Sequence, residues 1–116
     1  MPGVSIVDLE LEHALKRRHY IENAWYYLNR VRKACVEIDP ECRVIVFGSF
    51  IKGGMRVDSD VDVLVITKQA EKPESRGRIF RLITKEIGYY VPFEIHIVTP
   101  LEFEAYSKLI DIYREV

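Results

Sequence analysis

Asp62 stands where an apolar residue is expected. The run Val61 to Val65 is otherwise Val, Val, Leu and Val, and Asp60 precedes Asp62 by two positions. Such a run, extended to Thr67, reads as a strand, and residues two apart on a strand share a face. The two carboxylates are therefore expected side by side. Upstream lies a second short apolar run, Arg43 to Phe47, followed directly by Gly48-Ser49. The order spells strand, tight turn, a short helix up to Gly53-Gly54, a polar turn at Asp58-Ser59, then strand. Turn propensity accounts for Asp58 and Ser59, and can account for Asp60. It does not account for Asp62. A buried carboxylate without a partner is costly, and neighbouring like charges repel. The pattern asks for a cation at the same place.

The flanking chain predicts what surrounds these two strands. Met1 to Val7 reads as a loose start. From about Asp8 to Ile38 the pattern is one long helix, with Ala24, Leu28, Val31, Cys35 and Ile38 on one face and Leu11 and Leu15 extending the stripe. Lys16-Arg17-Arg18-His19 reads as a solvated basic face. Trp25, Tyr26 and Tyr27 form an aromatic belt suited to packing on a sheet or meeting a partner protein. Asp39-Pro40 ends the helix, since the residue before proline avoids the helical region. Lys68 to Glu74 reads as a polar connector. Ser75 to Ile87 is expected to be a helix with Ile79, Leu82, Ile83 and Ile87 inward, stopped by Gly88. Val91 to Val98 reads as a third strand, with Phe93, Ile95 and Ile97 on one face and Glu94 and His96 on the other. Thr99, Pro100 and Glu102 fit the N-cap, first position and capping-box position of a last helix. Leu101, Ala105, Leu109 and Ile112 are expected on its buried side. The order α-β-α-β-α-β-α gives an α/β (α+β) domain, a small mixed sheet with helices packed against it. The 116 residues are expected to form one domain.

Composition narrows the function classes. Hydrophobic residues at 48% and charged residues at 30% exclude a disordered chain. A formal net charge of −1 leaves no net positive field to hold a nucleic-acid backbone, so nucleic acid is not the expected partner. No apolar run is long enough to span a membrane and the N-terminus lacks a signal-peptide layout, so a cytoplasmic protein is expected. Cys35 and Cys42 do not form a metal-type pair. A bridge between them across Asp39-Pro40 is geometrically open, but a reducing cytoplasm disfavours it; Cys35 is expected as a small core residue.

The chemistry follows from residue types. Glycine at 48 lets the main chain approach a phosphate closely. The helix starting there points free N–H groups and its positive end toward an anion, and the Ser49 hydroxyl adds a donor. Glu94 interrupts the third strand as Asp62 interrupts the second. It faces the same way if the two strands are neighbours. Asp60, Asp62 and Glu94 then make three hard oxygen ligands suited to Mg²⁺ and a nucleoside triphosphate. Lys52 and Arg56 read either as point charges for the triphosphate or as solvated basic residues. His96 is assigned no catalytic role.

These residues resemble a known pattern. Gly48-Ser49-Phe50-Ile51-Lys52-Gly53, followed by Ser59-Asp60-Val61-Asp62, is similar to the signature of the polymerase-β-like nucleotidyltransferase superfamily, and the chain looks like a minimal nucleotidyltransferase (MNT) domain. The resemblance covers about residues 43–113. It implies a small mixed sheet, Mg²⁺ held by Asp60, Asp62 and Glu94, and phosphates held at Gly48, Ser49, Lys52, Arg56 and Ser59. It implies transfer of a nucleoside monophosphate, AMP from ATP, to a hydroxyl. Minimal members often accompany a HEPN toxin and act as its antitoxin, in some pairs by placing AMP on a toxin tyrosine. The absence of a second domain to position an acceptor fits a partner that completes the site; a homodimer is a further possibility. Gly54-Met55 and a glutamate as third carboxylate depart from the family's usual residues. Two other functions stay open: a binding module that neutralises a HEPN partner by contact alone, and transfer to RNA or a small molecule.

Overall fold

A computed structural model describes Gly3 and residues 5–116. Met1, Pro2 and Val4, part of the expected loose start, lie outside the described residues. The elements are α1 (Ile6–Glu22), α2 (Ala24–Ile38), β1 (Arg43–Phe47), α3 (Ser49–Lys52), β2 (Val61–Ile66), α4 (Pro73–Ile87), β3 (Phe93–Val98), α5 (Pro100–Ser107) and β4 (Tyr113–Glu115), with a 3₁₀ turn at Lys68–Glu71.

The four strands form one mixed sheet in the order β3-β2-β1-β4. β1 runs antiparallel to both β2 and β4, while β2 and β3 are parallel and joined across α4. Side chains alternate between the sheet faces. Val44, Val46, Val61, Val63, Val65 and Phe93 join Leu28, Val31 and Cys35 of α2 and Ile79, Ile83 and Ile87 of α4 in the main core. Ile45, Leu64, Ile66 and Val98 face the other way and pack with Phe47, Phe103 and Ile110 in a smaller cluster. Asp62, Glu94 and His96 therefore project on the thinly covered face. The local signals act as expected at Thr99 and Gly88, whereas Ser5, inside the expected loose start, caps a helix that already begins at Ile6. Ser5 and Thr99 each close a capping box, with Asp8 and Glu102 respectively. Gly88, at φ 100°, stops α4, and a side chain there would also meet the Tyr20 hydroxyl.

Five expectations are corrected. The long N-terminal helix is two helices. Asn23 breaks it, because its side-chain amide turns back on the His19 carbonyl at 2.8 Å and its backbone leaves the helical region. Leu11 and Leu15 do not extend the buried stripe: no residue of α1 is buried. Leu101, Ala105, Leu109 and Ile112 are exposed, and the chain's C-terminal part is anchored by Phe103 and Ile110 instead. The last helix, expected to include Ile112, ends at Ser107, and β4, a strand the sequence did not announce, joins the free edge of β1. Cys35 and Cys42 form a disulfide. The turn at Asp39-Pro40 brings the end of α2 beside the start of β1, with the two Cα atoms 6.0 Å apart, within the span a disulfide needs.

Candidate active site

Asp62 and Glu94 are direct register partners across the parallel β2–β3 pair, and Asp62 is also opposite Phe47 at the end of β1. Neighbouring strands are about 4.8 Å apart, so the two carboxyl groups meet. Burial pushes the Asp62 carboxyl above its ordinary value, and the neighbouring Glu94 pushes it further; His96 pulls the other way. Two carboxyl groups in contact cannot both carry full charge without a cation or a shared proton. His96 Nε2 sits 3.4 Å from Glu94 Oε1 on the outer side of the pair.

Gly48 closes the other side. Its φ is +78° and its ψ −159°, a conformation for glycine, and a Cβ there would fall on the Asp62 carboxylate. The main chain thus passes directly against the acid. The Gly48 carbonyl accepts from the Ile51 and Lys52 N–H groups at 3.0 and 2.9 Å, which folds α3 back at once. That places the first backbone N–H groups of α3, from Ser49 on, at the same end of the sheet.

A cleft of about 430 Å³ is lined by Phe47, Gly48, Lys52, Asp62, Glu94 and His96 on the sheet side. Its far wall is Tyr106, Leu109, Ile110, Asp111 and Ile112. Leu109 and Ile112 read as buried helix residues in the sequence; they form a cleft wall instead. Lys52 Nζ reaches Asp111 across the opening at 2.9 Å. This wall is the part that sequence reasoning missed. The segment is aromatic and aliphatic without strict periodicity, and that irregularity was the available signal.

The remaining site candidates lie elsewhere. Asp60 precedes β2 and its Oδ1 accepts from Arg17 Nη1 of α1 at 2.9 Å. Arg17 also donates to the Ser59 carbonyl at 2.6 Å and the Val57 carbonyl at 3.3 Å. Arg17 therefore departs from the solvated face expected of its cluster. The Ser59 hydroxyl accepts from the Arg56 backbone N–H at 2.9 Å, closing the turn that the sequence predicts there. Arg56 and Ser59 line a separate groove of about 410 Å³ beneath α1, with Ile21, Met55 and Val57.

The donor set is carboxylate oxygen throughout, which suits a hard divalent cation; Mg²⁺ commonly takes one or two carboxylates plus substrate phosphates. Asp62 and Glu94 meet that requirement. Among the described residues, no three acidic, histidine or cysteine side chains converge closely enough to share one ion; Asp60 is paired with Arg17.

The profile of the nucleotidyltransferase domain family matches residues 28–115 of the chain, a stretch that contains every residue of the cleft. The chain belongs to this family. A relative from Methanocaldococcus jannaschii, named as a candidate protein adenylyltransferase, is 29% identical over 66 residues. The match spans 57% of this chain and 63% of that relative's length. The crystal structure of another candidate nucleotidyltransferase superposes with a TM-score of 0.66 at 25% identity, covering 76% of this chain and 95% of that one. A Sulfolobus solfataricus structure of the same description gives a TM-score of 0.53 at 14% identity over 89% and 85% of the two chains, a likeness of fold alone. These likenesses agree with the mixed sheet and its flanking helices. No helix among the described residues is long and apolar enough to cross a membrane.

Proposed function

We propose that this nucleotidyltransferase domain transfers a nucleoside monophosphate, AMP from ATP, to a hydroxyl group in a Mg²⁺-dependent reaction that releases pyrophosphate. The observation that carries the reading is the contact of Asp62 with Glu94 across β2 and β3, pressed against the Gly48-Ser49 turn. Asp62 and Glu94 would hold Mg²⁺, which would neutralise charge on the phosphates and favour the attacking oxygen. The turn at Gly48 leaves room for a phosphate chain close to the backbone, and the N–H groups opening α3 donate to it. The Ser49 hydroxyl adds a donor there. Lys52, at the cleft mouth, exchanges Asp111 for a phosphate oxygen. Glu94, with His96 beside it, accepts the proton of the acceptor hydroxyl. Asp60 joins Asp62 and Glu94 as the third acid.

The acceptor is proposed to be a tyrosine of a HEPN toxin partner, with the domain as antitoxin. The name of the M. jannaschii relative supports a protein acceptor. The open cleft wall of Tyr106, Leu109 and Ile112 supports an acceptor brought in from outside. Incubation with labelled ATP, Mg²⁺ and the partner tests the proposal. Label is expected on the partner with the wild type, and none with Asp62→Ala. Equal labelling by both proteins, or by neither, would overturn it.

A further inference from the structure

Arg17 belongs to α1, outside residues 28–115 that match the family profile, yet it makes the closest contact to Asp60. Its neighbours behave differently. Arg18 pairs with Glu22 on the same helix in full solvent, and Lys16 reaches only the Tyr89 carbonyl. The Arg17 side chain is 18% exposed, and its guanidinium is fixed by three oxygens: Asp60 Oδ1, the Ser59 carbonyl and the Val57 carbonyl. Loose surface ion pairs contribute little; a guanidinium held on three acceptors is a positioned charge. That charge sits on the one member of the acidic trio that does not meet the other two.

We propose that Arg17 is a positioning residue that takes the cation's place at Asp60, so that a divalent ion and Arg17 compete for this carboxylate. The proposal rests on the reading of Asp60, Asp62 and Glu94 as the cation site. A guanidinium already seated on a carboxylate repels a second cation approaching the same oxygens. When Asp60 turns to join Asp62 and Glu94, the guanidinium loses its only carboxylate. α1 then loses one of its few ties to the body. The others include the Lys16 contact, the Tyr20 hydroxyl on the Ile87 carbonyl, the His19–Tyr27 hydrogen bond at 2.7 Å, and the packing of Tyr20 and Ile21 on the main core. Coupling of this kind is reciprocal. Cation binding loosens α1, and anything that draws α1 away raises affinity for the cation.

Mn²⁺ serves as the probe, titrated by calorimetry into the full chain, with amide exchange of α1 followed in the same samples. Arg17→Met keeps the aliphatic stem and removes the charge; Arg18→Met is the control. Arg17→Met is expected to bind Mn²⁺ about tenfold more tightly than wild type, and Arg18→Met to match wild type. Saturating Mn²⁺ is expected to speed α1 exchange in the wild type and to leave Arg17→Met unchanged. Equal or weaker binding by Arg17→Met would overturn the proposal and show Arg17 to support the site instead. So would wild-type α1 exchange that ignores Mn²⁺. Should Arg17→Met fail to fold, Arg17→Gln, which removes the charge but keeps a donor for the backbone carbonyls, is read in the same way. Asp62→Asn separates the two readings. Wild-type Mn²⁺ binding that survives this change unaltered, or no binding by any of the proteins, removes the cation site itself.

Discussion

Asp60 and Asp62 are two residues apart and stand in opposite electrostatic situations. Asp60 has a guanidinium on it; Asp62 has another acid, a backbone pressed against it and partial burial. For Asp62 the folded state raises the carboxyl's proton affinity above that of the unfolded chain. The unfolded state therefore binds fewer protons across the window that opens just above the ordinary aspartate range. Stability associated with this group is present below the unfolded value and is lost as pH rises through the folded one. Asp62→Asn removes that loss. It is expected to raise the melting temperature of the cation-free protein at pH 7 and to change it little at pH 3, while abolishing transfer. Thermal melts at the two pH values check the first part. The loss of transfer should be roughly a hundredfold or more, given the several kcal/mol that a positioned cation supplies. Gly48→Ala makes a different prediction at the same spot. Its backbone conformation costs a non-glycine residue about 1–3 kcal/mol, and its methyl group lands on the Asp62 carboxylate. Urea unfolding should show that destabilisation, and the folded fraction should still lack activity because Asp62 is displaced.

At the scale of elements, the sequence was most legible where burial and local chemistry agreed. β1 and β2 were readable because their inward valines are fully buried, and β3 because its partly buried Ile95 and Ile97 alternate with Glu94 and His96. α5 was readable at its start because Thr99, Pro100 and Glu102 each perform one capping task. Thr99→Ala, which loses the bond to the Glu102 N–H at 3.1 Å, should cost about 1 kcal/mol, measured by urea unfolding. Asp62 and Glu94 were readable because a charge inside an apolar strand breaks the pattern. The rest was hidden for physical reasons. β4 has three exposed residues and no alternation, so only the backbone of β1 reveals it as a strand. The Asn23 break rests on one side-chain amide within a helical run. Leu11, Leu15 and Leu109 look like core residues by type, but solvent exposure is decided by what packs on them. The Arg17–Asp60 pair joins residues 43 positions apart, and no periodicity encodes that.

The whole molecule measures 54 × 31 × 22 Å, and its stability is unevenly spread along that length. α2, α4 and the sheet share the main core, whereas α1 buries nothing completely. Isolated helices of this length are marginal in water, so α1 amides should exchange well before those of α2 in the native state. The disulfide acts at the opposite end of the stability range. Cys35 and Cys42 are both buried, and they tie the last turn of α2 to the first residues of β1, on opposite sides of a turn. A bridge over a sequence separation of 7 constrains the unfolded chain by about 2.5 kcal/mol in the loop-entropy treatment. For a chain of this size that corresponds to roughly 10 °C in melting temperature. Wild type under strong reductant is expected to melt lower by about that amount. The double variant Cys35→Ala, Cys42→Ala should melt lower still, since it also removes buried sulfur from the core. The variant's melting temperature should not respond to reductant, which separates the bridge from general effects of the thiol reagent. The bridge lies at the α2–β1 junction, away from the residues that line the cleft. Transfer activity measured well below the melting range should therefore be the same with the disulfide formed or reduced.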